Sequence, residues 1–152
     1  MTAVVRRARK ATHVREAAVV QLQPKRLLID THVWLWWNAN DLRLGKGARL
    51  LLQRASEVHF SAASAWEIAI KVSIGKLTLP KNADISAELV RDGFRELPVT
   101  IVHAEEMRRL PVLHRDPFDR LIIAQARVEG LTLLTADAQL SVYGIVTANA
   151  SV

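Results

Sequence analysis

The sequence predicts an α/β domain, a three-layer α/β/α sandwich built on a central, mainly parallel sheet. Short apolar runs such as Leu27-Leu28-Ile29 and Leu131-Thr132-Leu133-Leu134 alternate along the chain with helical stretches. These runs are continuously apolar instead of alternating with polar residues, as expected of strands covered on both faces. The helices carry the expected punctuation, with Pro117 opening one and Gly75, Gly93 and Gly130 closing three.

Taken in order, Arg26–Asp30 reads as a buried strand and Thr31–Asn38 as a helix. Lys46–Arg54, introduced by Gly45 and Gly47, is a second helix. Val58–Ser61 is a short strand, and Ala62–Ile74 an amphipathic helix stopped at Gly75. Leu77–Asn82 is a loop around Pro80. Ala83–Asp92 is a helix ended by Gly93, Phe94–Val99 a short strand, and Thr100–Leu110 a helix with Pro111 behind it. Residues 117–129 form a helix between Pro117 and Gly130. Leu131–Thr135 is a buried strand and Gly144–Thr147 the last one.

The chain has 152 residues, half of them hydrophobic, which fits one domain with a core. It has no Cys, so disulfides, thiolate zinc sites and cysteine nucleophiles are excluded. No apolar run reaches the ~18–20 residues of a membrane helix. The N-terminus is a poor match to a signal peptide, so a cytoplasmic location is expected. The net charge of +6 sits entirely in residues 1–26, which hold seven basic side chains and one acid, whereas the remainder is balanced at fourteen each. Residues 1–25 are therefore read as a basic extension, helical or disordered, and residues 26–152 as the folded domain. A basic arm suits phosphate backbones; the plain alternative is a solvated terminus.

The chemistry lies in the acids. Asp30 directly follows one strand and Asp137 follows another by two residues. In a parallel sheet both emerge at the carboxyl edge, where α/β sites form. Each alone reads as a helix or turn cap. Glu67 lies inside a helix with Lys71 four residues on, the preferred order for a surface ion pair. Asp116, Pro117 and Asp119 suit the N-cap, N1 and N3 positions of the helix they open. Four or five carboxylates meeting at one sheet edge repel one another. A hard cation, Mg²⁺ or Mn²⁺, relieves that repulsion through oxygen ligands.

Four segments together resemble the PIN-domain family, in its VapC branch. Leu27-Leu28-Ile29-Asp30-Thr31-His32 resembles the opening strand. Ser61 to Lys71, through Trp66-Glu67-Ile68, resembles the second motif, His114 to Ala126, through Asp116-Pro117-Phe118-Asp119-Arg120, the third, and Thr135-Ala136-Asp137 the last. The resemblance spans residues 26 to 148 and implies a PIN-like nuclease domain. It further implies an Mg²⁺ or Mn²⁺ site of Asp30, Glu67, Asp119 and Asp137, with Asp116 either assisting catalysis or only capping its helix. Thr31 and Thr135 match the family's hydroxyls at the edge of the site. The implied activity is metal-dependent hydrolysis of RNA phosphodiester bonds by the toxin of a toxin–antitoxin pair, with a cognate antitoxin as partner and a homodimer as the assembly. Family members begin close to the first strand, so residues 1–25 depart from the pattern.

Other residues carry weaker signals. Trp34, Trp36 and Trp37 share a short helix and cannot all face one way. At least one is expected in the core, and the rest suit a protein interface or stacking on RNA bases. The five His show no ligand spacing, and His32 and His114 are placed near the site at most. Arg115 and Arg120 suit either phosphate contacts or salt bridges. The carboxylates alone leave two rival activities open. One is a non-catalytic PIN-like RNA-binding module; the other is a metal-dependent DNA nuclease or phosphatase.

Overall fold

A computed structural model describes residues 25–152. The expectation for the basic extension therefore lies, Lys25 apart, outside the described residues. Five strands form one sheet in the order β3-β2-β1-β4-β5: β1 (Arg26–Ile29), β2 (Glu57–Ser61), β3 (Arg95–Leu97), β4 (Thr132–Thr135) and β5 (Thr147–Asn149). Every pairing is parallel. Six α-helices connect them: α1 (Thr31–Asn38), α2 (Lys46–Arg54), α3 (Ala62–Ser73), α4 (Ile85–Asp92), α5 (Ile101–Arg109) and α6 (Pro117–Glu129). A 3₁₀ helix, Ala138–Tyr143, joins β4 to β5.

The continuous apolar strands are explained by two cores. Side chains of a strand alternate between faces. Leu27 and Ile29 of β1 and Leu134 of β4 enter one core with Trp34, Leu52, Phe60, Ile68 and Leu89. Leu28 and Leu133 point the opposite way, into a second core with Leu110, Ile122, Ile123 and Leu140. Helices α1 to α4 supply the first layer and α5, α6 and the 3₁₀ helix the second. The central strands have no water-facing side, so an alternating pattern would bury polar groups in one of these cores.

Helix ends follow local chemistry. Thr100 caps α5 by accepting from the His103 N–H, while the Thr100 N–H donates to His103 Nδ1. Gly130 ends α6 in the left-handed region at φ 63°, which favours glycine. Gly45 serves close approach instead. The backbone of Val152 lies where a Cβ on Gly45 would stand, and the Ala48 N–H at the start of α2 donates to the Val152 carbonyl at 2.8 Å.

Three sequence expectations are corrected. The last strand is Thr147–Asn149, not Gly144–Thr147, because Gly144 at φ 71° terminates the 3₁₀ helix that the sequence reading lacked. The helix expected from Ala83 starts at Ile85, since the Asp84 side chain caps it by accepting from the Ala87 N–H. The strand expected over Phe94–Val99 shrinks to Arg95–Leu97: Phe94 is drawn into the first core, and Pro98 has no N–H for a ladder.

Candidate active site

β1 and β4 are parallel neighbours, and their carboxyl ends define the site. Asp30 directly follows β1 and its N–H extends the ladder to the Leu134 carbonyl at 3.0 Å. It occupies the N-cap position of α1, yet its carboxylate makes no capping bond. Instead Oδ2 accepts from the Thr135 hydroxyl at 2.8 Å, and Thr135 Oγ1 in turn accepts from the Asp137 N–H at 3.0 Å. One hydroxyl thus couples the segment after β4 to the acid after β1.

Glu67 comes from α3. Its pairing with Lys71 is present at 2.7 Å, but not as the surface pair that the spacing alone suggests, because Glu67 is only 5% exposed. Lys71 donates to Oε1, and Oε2 accepts from the Thr31 hydroxyl at 2.8 Å. Thr31 Oγ1 also lies 2.9 Å from the Ser64 hydroxyl. A carboxylate only accepts, so the Thr31 proton goes to Glu67 and Ser64 donates to Thr31.

The start of α6 supplies the third wall. Asp116 Oδ1 caps the helix, accepting from the Phe118 and Asp119 N–H groups at 2.8 and 3.2 Å. Asp119, three residues on, leaves the capping to Asp116, and its Oδ2 meets His114 Nε2 at 2.7 Å. Asp137 caps the 3₁₀ helix through the Gln139 N–H. Donor atoms of His114, Asp119 and Asp137 all lie within 4.8 Å of one another.

Electrostatics link several of these groups. Burial pushes the Asp30 carboxyl above its ordinary value, opposed by the Thr135 hydrogen bond and His32, and the charge of Glu67 adds to the rise. Burial likewise pushes Asp119 up to about 6; His114 opposes this, while Asp30 and Asp116 reinforce it. Lys71 is held more firmly charged by its bond to Glu67, with Asp116 and Asp119 adding to the effect. Charge interactions thus link Asp30 with Glu67, and Asp119 with Asp30 and Asp116, while Asp137 approaches Asp119 beside His114.

A sequence model of the PIN domain matches residues 27–146. The chain belongs to the PIN-domain family. The chain is 30% identical over 115 residues to Ribonuclease VapC22 of Mycobacterium tuberculosis, an alignment covering 75% of this chain and 88% of that protein. Its fold resembles VapBC2 from Rickettsia felis bound to a DNA fragment from their promoter, with a TM-score of 0.59 at 16% identity over 81% of this chain and 97% of that one. It also resembles FitAcB from Neisseria gonorrhoeae, with a TM-score of 0.57 at 20% identity over 81% and 96% of the two chains. Among the described residues no helix is long and apolar enough to cross a membrane.

The PIN domain here includes groups around its acids that the sequence reading did not assign. Lys71 and Ser64 were legible only as a surface partner and a helix residue. Arg120 makes no salt bridge among the described residues. It donates to the Pro111, His114, Met107 and Leu110 carbonyls, at 2.9 to 3.4 Å, and so ties the loop before α6 to the helix that carries Asp119. Arg115 is exposed. Replacing Arg120 by Gln strands these carbonyls and is expected to cost roughly 1–3 kcal/mol. A urea-unfolding midpoint equal to wild type would contradict that role. Of the three tryptophans in α1, Trp34 is buried, while Trp36 and Trp37 are half-buried. Trp36 lies under the Arg43 guanidinium, and Trp37 donates to Asp92.

Proposed function

We propose that this chain is a metal-dependent endoribonuclease, the toxin of a toxin–antitoxin pair. The observation that carries the reading is the charge interaction of Asp30 with Glu67 and Asp119, with Asp137 close to Asp119, in a PIN-domain fold. The similarity to Ribonuclease VapC22 supports RNA as the substrate. The similarity of the fold to VapBC2 and FitAcB supports a cognate antitoxin as partner. The working assembly is a homodimer in the cytoplasm.

The donor set fits Mg²⁺ or Mn²⁺. Buried carboxyls with raised proton affinity are a site short of positive charge. Among the described residues the one ammonium bonded within the cluster, that of Lys71, is committed to Glu67. Asp30, Glu67, Asp119 and Asp137 would hold the cation. When bound, such a cation polarises a phosphodiester and lowers the pKa of a water for in-line attack. The remaining work belongs to the protein. Thr135 fixes the Asp30 carboxylate and Thr31 that of Glu67. Asp116 caps α6, the helix that carries Asp119, which makes it a positioning residue.

The test is cleavage of a mixed RNA pool with Mg²⁺ or Mn²⁺ by wild type and Asp30→Asn, with a chelator control and matched DNA and small phosphoesters. The expected result is cation-dependent RNA cleavage that falls at least about a hundredfold in the variant. Undiminished cleavage by Asp30→Asn would refute the site. RNA binding without cleavage, or preference for DNA, would refute the activity.

A further inference from the structure

The acids of the site have an imidazole among them. His114 lies in the loop between α5 and α6, and its backbone is fixed from behind: Arg120 donates to the His114 carbonyl at 3.4 Å and to the Pro111 carbonyl at 2.9 Å. The residue before Arg120 is Asp119. One side chain thus holds the loop against the helix, and the imidazole meets the carboxylate with Nε2 2.7 Å from Oδ2. Asp137 brings an oxygen within 4.8 Å of both. Donors around a cation at about 2.1 Å lie about 3 Å apart when adjacent and about 4.2 Å apart when opposite. The His114–Asp119 separation suits adjacent donors, and a small approach of Asp137 would bring all three to one ion.

We infer that His114 is a nitrogen ligand of the cation held by the acidic site, and that it biases the site toward first-row transition ions over Mg²⁺. The inference rests on the cation reading proposed above. Mg²⁺ is a hard ion that prefers oxygen, so an imidazole contributes little to its binding. Affinity for nitrogen donors rises from Mn²⁺ along the first-row series. The competing role for the same geometry is that of a positioning residue, with the ring donating its Nε2–H to Asp119 from outside the coordination sphere. The two roles differ in whether nitrogen touches the metal.

The probe is Mn²⁺ alone, bound to the full chain and followed by pulsed electron paramagnetic resonance, which detects directly bound nitrogen. Binding of Mn²⁺, Co²⁺ and Mg²⁺ is measured in parallel by calorimetry. The expected result is a nitrogen coupling in wild type that disappears in His114→Gln. The Co²⁺-to-Mg²⁺ affinity ratio should fall at least about tenfold in that variant. His114→Gln should keep a wild-type melting curve, since glutamine can still hydrogen-bond Asp119. Mn²⁺ bound without nitrogen coupling would overturn the inference, making His114 a positioning residue while leaving the cation site standing. A coupling that survives in His114→Gln would assign the nitrogen elsewhere and overturn it too. Failure of wild type to bind any of the ions would remove the inference together with the cation reading.

Discussion

Asp119→Asn is expected to lose RNA cleavage by at least about a hundredfold while making the folded protein more stable. The two effects share one cause. The pocket pushes the Asp119 carboxyl up to about 6, first by burial and then through Asp30 and Asp116. A carboxyl whose folded pKa lies above its unfolded value of 3.8 binds its proton more tightly in the native state. Ionising it therefore costs stability: the penalty is absent below about pH 4, grows as pH rises toward 6, and is complete above that. At roughly 1.4 kcal/mol per pH unit the upper limit is about 3 kcal/mol. Solvent reaches about a fifth of the side chain, 22% by area, and screens part of this, so about 1–3 kcal/mol is expected. In chelator, the stability gap between Asp119→Asn and wild type should open between pH 4 and 6 and stay constant to pH 8. Denaturant unfolding across that range checks it, and a variant less stable than wild type at pH 7.5 would contradict it.

The second large effect concerns the scaffold. Trp34→Ala is expected to destabilise the domain by roughly 3–5 kcal/mol, as truncation of a large core side chain does. Trp34 is 1% exposed and stacks on Phe60 with ring centroids 5.2 Å apart, joining α1 to β2 within the first core. It lies one helical turn beyond Thr31, whose hydroxyl orients Glu67. Loss of the indole should therefore loosen the site along with the core. Trp36→Ala, which removes a half-buried ring under Arg43, should cost much less. Thermal melts of both variants separate the cases, and equal melting temperatures would contradict the account.

The contrast between these residues shows what was legible in the sequence. The fold class was, because parallel strands buried on both faces must be apolar throughout, as Leu27, Leu28 and Ile29 are. Helix α6 was legible to the residue, since Pro117 and Gly130 act locally. The 3₁₀ helix and the shift of β5 were not: Ala138–Tyr143 has no apolar period, and a three-residue strand gains its order from pairing with β4. The order of the acids along the chain suggested a common edge, but their individual roles needed contacts between distant segments. The Thr135 bond to Asp30 spans 105 residues, and the burial of Glu67 depends on α1 lying over α3. The carbonyl contacts of Arg120 were hidden for the same reason. An arginine beside an acid suggests charge pairing, whereas this one satisfies backbone carbonyls of a loop whose path no local pattern gives.

The most direct test of the shared acidic cage is anomalous diffraction from crystals soaked in Mn²⁺. A manganese peak within about 2.2 Å of carboxylate oxygens from Asp30 and Asp119, absent from crystals of Asp30→Asn, is the result expected. A saturating peak elsewhere on the protein, or one that persists unchanged in Asp30→Asn, would contradict it.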